Sequence, residues 1–351
     1  MIRSATRAGR LRRPLRLVEP FAGGAATTLR LLTDGVVDQA VIGDADPLLA
    51  SFWIEAAKRP ERLISRMAEE FESYVSVGGS TAVDRWDYWR AWHPDPSSSV
   101  DATRLNQAVK CLVLNRTTFS GILHGSAGPI GGRAQTSPYP IGCRFDVDSL
   151  AARIRWVGHL YSSGRLTDVR ESNWRGTLES AQASVDDSRN LVAYLDPPYV
   201  EKSGRLYAVN FSAAGPPDIW QGIGPHQMLA DYLKMEAPFR WILSYDDHPE
   251  LRANVLLYGR RRTMPTEAAR REGAKPWAIS AGTVTLQHST SVGSSRREVK
   301  ELLLSTLAAT DLRVATELVW GRPKRDVGGN LSGDSGTEAR DECATAASPT
   351  T

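Results

Sequence analysis

In the stretch Leu15-Arg16-Leu17-Val18-Glu19-Pro20-Phe21-Ala22-Gly23-Gly24-Ala25-Ala26, a short apolar run leads directly into a turn with two adjacent glycines. The apolar run predicts a strand over 15–18, and the residues after the glycines predict a helix over 25–32. A strand, a glycine turn and a helix in this order open the nucleotide-binding half of a doubly wound α/β fold, because glycine lets the backbone approach a ligand closely. The turn has neither G-x-G-x-x-G spacing nor a following Lys-Ser/Thr, so we do not expect it to bind pyrophosphate or triphosphate.

An acidic residue ends a second predicted strand about twenty residues after the glycine turn, as in doubly wound nucleotide-binding folds. The run Val41-Ile42-Gly43-Asp44 predicts a strand over 40–43 with Asp44 at its end. A carboxylate there can accept hydrogen bonds from the hydroxyls of a ribose. Because Asp44-Ala45-Asp46-Pro47 also resembles the start of a helix, a helix N-cap is the alternative role of Asp44.

The segment Asp196-Pro197-Pro198-Tyr199 follows an apolar run, 191–195, that predicts a buried parallel strand. A carboxylate at that end of a strand lies where open α/β sheets bind ligands. The two prolines supply no N–H donors, so the turn presents carbonyl acceptors, and an aromatic ring follows them. Such a turn suits a planar group with an NH2, because carboxylate and carbonyl accept its hydrogens while the ring stacks on its face. The alternative is a strand-ending turn with a helix-capping Asp.

Further segments occur in order with these motifs. They are Leu114-Asn115-Arg116-Thr117-Thr118-Phe119-Ser120-Gly121, then Leu166-Thr167-Asp168, and then Ser294-Ser295-Arg296-Arg297-Glu298-Val299-Lys300-Glu301-Leu302-Leu303-Leu304. From about residue 15 to 306, the chain thereby resembles the Dam-type, Asp-Pro-Pro-Tyr class of DNA adenine methyltransferases. That family transfers a methyl group from S-adenosylmethionine (AdoMet) to adenine N6 in double-stranded DNA, without a metal.

The resemblance implies a role for each matched residue. The cofactor-binding residues would be Glu19, Pro20, Phe21, Ala22, Gly23, Gly24, Asp44, Asp168 and Asp196, with Asp44 on the ribose and Asp168 at the strand end that reaches the cofactor's adenine. The catalytic residues would be Asp196, Pro197, Pro198 and Tyr199, with Tyr199 stacked on a base flipped out of the duplex. The matched DNA-binding residues would be Asn115, Arg116, Phe119 and Ser120, with Phe119 as a wedge in the base stack.

The chain departs from the family in two places. The family usually begins with an aromatic-x-Gly-Gly-Lys segment that closes over AdoMet. The residues before the first predicted strand do not match it, so we expect either a truncated start or closure by another segment. Dam-like relatives read guanine with an Arg where this chain has His124, so their recognition sequence is not carried over. We expect His124 and Arg133 to touch base edges, with Arg133 as the guanine reader because its fork can bond both acceptors of guanine; for His124 a surface role is the alternative.

Charge and cysteines limit the other classes. The formal net charge is +3, but basic residues cluster at 3–16, at 260–275 and at 296–300. Such clusters can neutralise phosphates, and we expect Arg261, Arg296 and Arg297 to contact DNA; solvated Arg-rich faces are the alternative. The three cysteines have neither metal-ligand spacing nor the Pro-Cys nucleophile of a cytosine-C5 methyltransferase. With no long apolar stretch or signal peptide, these features predict a cytoplasmic protein. We leave the oligomeric state open and favour a monomer.

The fold class predicted is α/β, a Rossmann-like AdoMet methyltransferase sheet with a terminal antiparallel hairpin and an inserted, mainly helical target-recognition domain. We place parallel strands at 15–18, 40–43, 164–168, 191–195 and 240–244, hairpin strands at 282–288 and 299–306, and helices at 25–32, 47–72 and 225–236. The catalytic domain would comprise 1–72 and 160–310, the insertion 73–159, and a disordered tail 324–351. We expect Trp86, Trp89 and Trp92 to pack in a core, and 259–280 to form a mobile loop near DNA.

Other functions remain open at this stage. Cytosine-N4 and RNA amino-methyltransferases use the same amino-group logic, although the former usually have Ser before Pro-Pro-Tyr. A protein of another class, a DNA-binding module with impaired catalysis, would fit the missing Gly-Gly-Lys segment. No endonuclease-like P-D-x(n)-E-x-K cluster is present. The recognition sequence and a biological role in restriction-modification or phage defence are not encoded in these motifs.

Overall fold

A computed structural model describes residues 1–199, 224–288 and 297–307, with only the backbone described at 250, 285–288 and 297–299. Seven strands in these ranges form one sheet. They are β1 (Arg16–Glu19), β2 (Gln39–Asp44), β3 (Leu166–Glu171), β4 (Leu191–Leu195), β5 (Arg240–Asp246), β6 (Ser280–His288) and β7 (Arg297–Ser305). Their order is β3-β2-β1-β4-β5-β7-β6. The predicted α/β fold class is confirmed.

The first five strands run parallel, and the chain reverses direction across the sheet at β1. Strand β1 pairs with β2 on one side, Val18 opposite Val41, and with β4 on the other, Val18 opposite Ala193. The boundary between β1 and β4 is the switch point at which open α/β sheets bind ligands. The glycine turn after β1 and the Asp196 turn after β4 therefore leave the sheet at neighbouring positions.

The last two strands form the predicted antiparallel hairpin and attach to the parallel part through β5. Tyr245 of β5 lies opposite Leu302 of β7, and Asp246 lies opposite Glu301. Thr283 of β6 lies opposite Leu302 on the other side of β7. Because β7 runs antiparallel to β5, its early residues lie beside the carboxyl end of β5. The hairpin thereby brings Glu301 to the edge of the sheet where the parallel strands end.

Eleven α-helices of the described ranges surround the sheet. They are α1 (Ile2–Arg7), α2 (Ala26–Thr33), α3 (Pro47–Lys58), α4 (Pro60–Glu70), α5 (Gly79–Ala91), α6 (Val100–Thr117), α7 (Val147–Ser162), α8 (Trp174–Ala183), α9 (Gly224–Asp231), α10 (Pro249–Ala253) and α11 (Glu267–Arg271). The predicted single helix over 47–72 is wrong, because the helical conformation is interrupted at Arg59, between α3 and α4. Arg59 has φ −143° and ψ 54° there, since the residue before a proline disfavours the helical conformation and Pro60 has no N–H.

The region 73–159 is helical, as predicted, and its helices share an apolar core with the sheet. Trp86 and Trp89 of α5 are buried, and Trp92 packs against the same cluster as Leu17 of β1. The predicted core role of these tryptophans is confirmed. The cluster also includes Leu112 of α6, so these helices pack directly on the sheet. The division of the chain into two domains stays a prediction.

Residues 1–15 lie along the amino ends of the strands. The backbone N–H of Arg12 donates to the carbonyl of Arg189 (2.8 Å), and the Asn190 amide donates to the carbonyl of Pro14 (2.9 Å). The backbone N–H of Leu15 donates to Asp38 Oδ2 (2.7 Å). These residues precede β4, β1 and β2, so this segment does not cover the opposite edge, which carries Asp44 and Asp196.

The basic segment 259–280 is more structured than the predicted loop. It contains α11, whose N-cap Thr266 accepts a hydrogen bond from Ala269 N–H (3.2 Å), and a β-bridge between Arg262 and Ala278. The side chain of Thr263 is buried and donates to the Lys275 carbonyl (2.9 Å). The prediction of a loop is therefore wrong for this segment, because a cap and a buried hydroxyl order it. The predicted tail, 324–351, lies outside the described residues.

Candidate active site

Acidic side chains line the carboxyl edge of the sheet. Each of the five parallel strands ends in an acidic residue or is followed by one. The last residues of four strands are Glu171 on β3, Asp44 on β2, Glu19 on β1 and Asp246 on β5, and Asp196 directly follows β4. Parallel strands place their ends together, so one edge of the sheet concentrates negative charge beside the switch point.

The glycine turn is fixed from both sides and leaves open space beside it. Gly23 has φ 46°, in the left-handed region that glycine adopts without strain. Its N–H donates to Asp44 Oδ2 (2.9 Å), and its carbonyl accepts from Trp53 Nε1 (2.8 Å). A Cβ built at Gly23 or Gly24 would meet no other atom within 4 Å. The turn thus offers exposed backbone next to a cleft that a ligand can enter.

The remaining residues of the turn tie β1 to its surroundings. Pro20 and Ala22 are buried, Ala22 N–H donates to the Gly43 carbonyl (2.9 Å), and Phe21 packs on an apolar cluster. Glu19 is buried, and its Oε2 accepts from the N–H of Thr28 (3.2 Å) and from the Thr28 hydroxyl. Burial raises the pKa of Glu19 to about 8. Glu19 therefore joins the end of β1 to the first turn of α2.

Asp44 holds the glycine turn rather than a helix end. Its Oδ2 accepts from Gly23 N–H, and its Oδ1 accepts from the N–H of Asp46 (2.9 Å). The N-cap of α3 is Asp46, whose Oδ1 accepts from Leu48 N–H (2.9 Å). The alternative role of Asp44 as a helix cap is therefore wrong. Burial raises the pKa of Asp44 to about 6.

Asp168 does not lie at a strand end, so this part of the prediction is corrected. Strand β3 continues to Glu171, and Asp168 lies opposite Val41, three residues before the end of this edge strand. Its Oδ2 accepts from Nε of Arg170, its partner in an ion pair, and its Oδ1 accepts from Val169 N–H (2.9 Å). The sequence pattern missed a β-bulge between Ala40 and Val41, which shifts the register of β3. Glu171, opposite Asp44, is the acidic residue at this end.

The Asp196 turn reaches across the sheet. Asp196 reaches solvent, yet the protein around its carboxyl group removes much of its hydration. That loss, together with the charge of Glu301, raises the pKa of Asp196 to about 7. Pro197 and Pro198 are buried, and Tyr199 is half-buried against the apolar cluster that contains Leu195. The Tyr199 hydroxyl donates to Glu301 Oε1 (3.0 Å). The turn is thus anchored at both ends.

The segment at the end of α6 presents an aromatic ring to solvent. The side chain of Phe119 is 53% exposed, although its backbone is held by a bond from its N–H to the Gly128 carbonyl (2.9 Å). Ser120 (φ 57°) and Gly121 (φ 69°) form a tight left-handed turn. The Asn115 amide donates to the Gly121 carbonyl (3.3 Å), so Asn115 supports the turn, while Arg116 is half-buried. An exposed ring on a fixed backbone is compatible with the predicted wedge.

His124 connects the recognition loop to the cofactor side of the sheet. Its Nε2 lies 2.6 Å from Asp46 Oδ2. Asp46 caps α3 and donates its N–H to Asp44, so a chain of hydrogen bonds runs from Gly23 through Asp44 and Asp46 to His124. Arg90 of α5 also donates to the carbonyl of Leu123 (3.0 Å). His124 is therefore more than a surface residue, and its predicted contact with base edges stays a prediction.

Arg133 forms a bidentate pair with an intramolecular partner. Its Nη1 and Nη2 donate to the two oxygens of Asp87, each at 2.8 Å, and its guanidinium lies 5.7 Å from the ring centre of Trp86. To read guanine, Arg133 must leave Asp87. Arg261 is exposed and accepts a backbone hydrogen bond from Ile279 N–H (2.9 Å). Arg296 and the side chain of Arg297 lie outside the described residues.

The structure adds site residues that the sequence motifs did not single out. Asp46 and Glu301 each contact a predicted site residue, and Ser244 donates to Glu301 Oε2 (3.3 Å). An acidic residue at each strand end was a usable signal for Glu171 and Asp246. No local signal marks Glu301, because its neighbours in the site come from strands far away in sequence.

The described residues fit a cationic, hydroxyl-bearing cofactor. Glu19, Asp44 and Asp196 carry raised pKa values at a common edge, which a positively charged ligand would lower by favouring the ionised carboxylates. The open space beside Gly23 and Gly24 supplies room for it. Among the described side chains, no group of three or more His, Cys, Asp or Glu is arranged to hold a metal ion. None of the described helices has the length and apolarity to span a membrane.

Comparison with known proteins agrees with this geometry. Residues 13–126 match the model of the family D12 class N6 adenine-specific DNA methyltransferase. The match covers the glycine turn, Asp44 and the Phe119 segment, and it ends before the Asp196 turn. A search of curated proteins finds no match.

Fold and site together define a class. A mostly parallel sheet with a glycine turn at its switch point and this family match make the chain an adenine-specific DNA methyltransferase. The match of residues 13–126 to the D12 class of N6 adenine-specific enzymes is consistent with the predicted resemblance to Dam-type proteins.

Proposed function

We propose that this enzyme moves the methyl group of AdoMet to the N6 amino group of an adenine that has been flipped out of double-stranded DNA at a specific sequence. The observation that carries the proposal is the position of Asp196, which is accessible to solvent and lies beside the glycine turn at the switch point. The D12 match supports adenine in DNA as the substrate. Flipping is needed because N6 of a base stacked in the duplex cannot reach Asp196.

The chemistry assigned to the Asp196 turn is positioning and charge stabilisation. The adenine amino group is a poor nucleophile, because its lone pair is delocalised into the ring. Asp196 and the Pro197 carbonyl accept its two hydrogens and hold the nitrogen so that its lone pair can attack. The nitrogen would form a bond to the methyl carbon as the bond from that carbon to the sulfonium sulfur breaks, which leaves a neutral thioether. The nitrogen releases one proton, and Asp196, with a pKa raised to about 7, can accept it. Orientation and preorganised acceptors supply most of such a rate enhancement.

The cofactor residues proposed are those around the glycine turn. AdoMet, when bound, would supply a methyl group on a positively charged sulfonium. Gly23 and Gly24 give it backbone access, and Asp44 accepts hydrogen bonds from its ribose hydroxyls. Glu19, locked to Thr28, holds the end of β1 beside the cofactor without direct contact to the reacting atoms. Asp168 is kept as the proposed partner of the cofactor's adenine, although it lies three residues before the end of β3.

The DNA side of the site is assigned to the helices and loops between 73 and 159. Phe119 acts as the wedge beside the target base, and Asn115 holds the adjoining turn through its hydrogen bond to the Gly121 carbonyl. His124 and Arg133 contact base edges, and Arg261, Arg296 and Arg297 contact phosphates. Tyr199 stacks on the flipped adenine, a contact worth about 1–3 kcal/mol per base.

The decisive experiment incubates the full chain with AdoMet and duplex DNA and analyses the digested nucleosides by mass spectrometry. N6-methyladenine is expected, whereas N4-methylcytosine, or methylation of RNA alone, would contradict the proposal. Sequencing that detects modified bases then identifies the methylated sequence.

Asp196→Ala tests the assignment of the catalytic turn. We expect this variant to lose methyl transfer while its DNA affinity, measured by fluorescence anisotropy, stays near that of the wild type. Asp186→Ala is the matched control, because Asp186 is an exposed carboxylate before β4, at the other edge of the sheet. Near-normal turnover of Asp196→Ala would show that another group performs the chemistry.

A further inference from the structure

The turn after β4 has few N–H donors with which to form hydrogen bonds to its surroundings. Pro197 and Pro198 have no N–H, so neither can donate a hydrogen bond to a neighbouring loop. At its start the turn is fixed by β4, where Leu195 lies opposite Leu243 of β5. At its end it is fixed by the Tyr199 hydroxyl, which donates to Glu301 Oε1 (3.0 Å).

Glu301 comes from β7, two strands away from the start of the turn. Adjacent strands lie about 4.8 Å apart, so the start of the turn and β7 are about 10 Å apart. The turn and the long side chains of Tyr199 and Glu301 together bridge this distance.

The two carboxylate oxygens of Glu301 have separate partners. Oε1 accepts from Tyr199 of the turn, and Oε2 accepts from the hydroxyl of Ser244 on β5 (3.3 Å). Ser244 follows Leu243, whose partner on β4 is Leu195, so it lies beside Asp196. One carboxylate thus joins three neighbouring segments of the site.

We propose that Glu301 is a positioning residue of this enzyme, which accepts the Tyr199 hydroxyl and thereby fixes the aromatic ring in the orientation that stacks on the target base. The inference rests on the proposed function, because it assigns Tyr199 to the flipped adenine. A ring held before DNA arrives loses less freedom on binding, which strengthens the contact without adding a new one.

Glu301 also acts on Asp196 through its charge. Several ionisable groups surround Asp196: Glu19 on β1, Tyr194 on β4, Tyr245 on β5 and Glu301 on β7. Together with burial, the charge of Glu301 raises the pKa of Asp196. Asp196 must be ionised to accept a hydrogen bond from the amino group and then the released proton. Activity therefore falls as the pH drops through this pKa. Removing the charge of Glu301 should therefore move the acidic limb of the kcat profile to lower pH.

The test compares Tyr199→Phe, Glu301→Gln and Glu301→Ala in the full chain, on a duplex with the sequence that the wild type methylates. Tyr199→Phe keeps the ring and removes its hydroxyl, so the KM for DNA should rise about two- to ten-fold, the effect of one ordinary hydrogen bond. Glu301→Ala should raise it similarly, and Glu301→Gln less, because the Gln oxygen still accepts the phenol. The KM of the double variant Tyr199→Phe/Glu301→Ala should be no higher than that of the more impaired single variant.

The pH profile separates the two effects of Glu301. Both Glu301 variants should shift the acidic limb of kcat downward, whereas Tyr199→Phe should leave it in place. Glu267→Gln is the control, since it removes one carboxylate from α11 whose side chain is 82% exposed. Circular dichroism and thermal unfolding verify that each variant is folded, so that a purely structural loss is recognised.

Two negative results are distinguishable. If the wild type makes no N6-methyladenine, the proposed function and this inference are both overturned. If the wild type is active but Tyr199→Phe and Glu301→Ala leave the KM unchanged, or affect it additively, Glu301 does not position Tyr199.

Discussion

At the scale of single residues, the site depends on carboxylates that serve the fold and the ligand together. Asp44 accepts from Gly23 and Asp46, so it shapes the glycine turn before any cofactor binds. Glu19 fastens β1 to α2 through Thr28. These bonds explain why negative groups persist in half-buried positions, where charge is costly unless it is hydrogen-bonded.

We expect Asp44→Ala to weaken AdoMet binding by roughly ten- to a hundred-fold, because a charged hydrogen-bond partner is worth about 1.5–3 kcal/mol. Asp44→Asn, which keeps one carbonyl acceptor, should lose less. The pKa of Asp44 is raised to about 6, so the wild-type affinity should fall as the pH drops below that value, while the Asn variant should show a flatter dependence. Isothermal titration calorimetry between about pH 5 and 8 measures both effects. An unchanged dissociation constant in Asp44→Ala would limit Asp44 to supporting the turn.

At the scale of elements, the helices of 73–159 hold the recognition residues in an internal network. The bidentate pair of Arg133 with Asp87 occupies the same fork that would bind guanine. Asp87 therefore competes with DNA for Arg133. The pair is solvent-exposed, so exchange to a base is inexpensive.

Removing the competitor should strengthen DNA binding. We expect Asp87→Asn to raise affinity for the methylated sequence, and Arg133→Ala to relax preference at one base pair by about ten-fold or more. In an Arg133→Ala background, Asp87→Asn should have little further effect, because no fork remains to be released. Competition binding with single-base substitutions of the methylated sequence measures these changes. The guanine-reading role is wrong if Arg133→Ala leaves the methylated sequence set unaltered.

At the scale of the whole molecule, acidic and basic side chains lie in different places and serve different proposed ligands, the cofactor and DNA. Acids gather at the carboxyl edge of the sheet, where a cationic cofactor would bind, while arginines cluster in separate segments. A cluster of arginines attracts DNA through counterion release, which carries no sequence information.

Arg261→Ala should therefore weaken binding to all sequences alike. The slope of log affinity against log salt should decrease by about one, as expected for a single phosphate contact. Anisotropy titrations at several salt concentrations, with the methylated and an unrelated duplex, provide the measurement. A change in which sequence is methylated would instead place Arg261 at a base edge.

The acid edge also predicts how stability depends on pH. Glu19 has a pKa raised by burial to about 8, against an ordinary value of 4.5. Between these values the folded protein keeps a proton that the unfolded chain has lost, so stability falls as pH rises. From about pH 6.5 to 8.5, Glu19 alone should lower the free energy of unfolding by about 2 kcal/mol.

Other shifted groups contribute less in this pH window. Asp196, whose pKa is raised to about 7, adds a smaller decrease in the same direction. Hydrogen bonds from Arg189 lower the pKa of Asp187 to about 2, and burial lowers the pKa of His226 to about 4. Both act below about pH 6.5. Urea unfolding of the cofactor-free protein measures the slope, and Glu19→Gln should flatten it. An equally steep slope in that variant would show that burial of Glu19 is not the cause.

The sequence by itself determined the elements and the chemistry they carry. Apolar runs with acidic ends located the five parallel strands, and β4 was placed at its observed bounds, Leu191–Leu195. Motifs of adjacent residues, such as Asp196 to Tyr199, identified the enzyme class, because the required groups lie next to each other in the chain. Local signals suffice wherever the interacting residues are neighbours in sequence.

Only the tertiary structure decided the register of the strands and the hydrogen-bond partners of the site residues. Strand β3 ends at Glu171 rather than at Asp168, with a bulge in its pairing to β2 between Ala40 and Val41, and Asp46 rather than Asp44 caps α3. Pairings such as Tyr199 with Glu301, His124 with Asp46 and Arg133 with Asp87 join residues far apart in sequence. No local pattern specifies them, because a hydrogen bond depends on the position that packing gives to both partners.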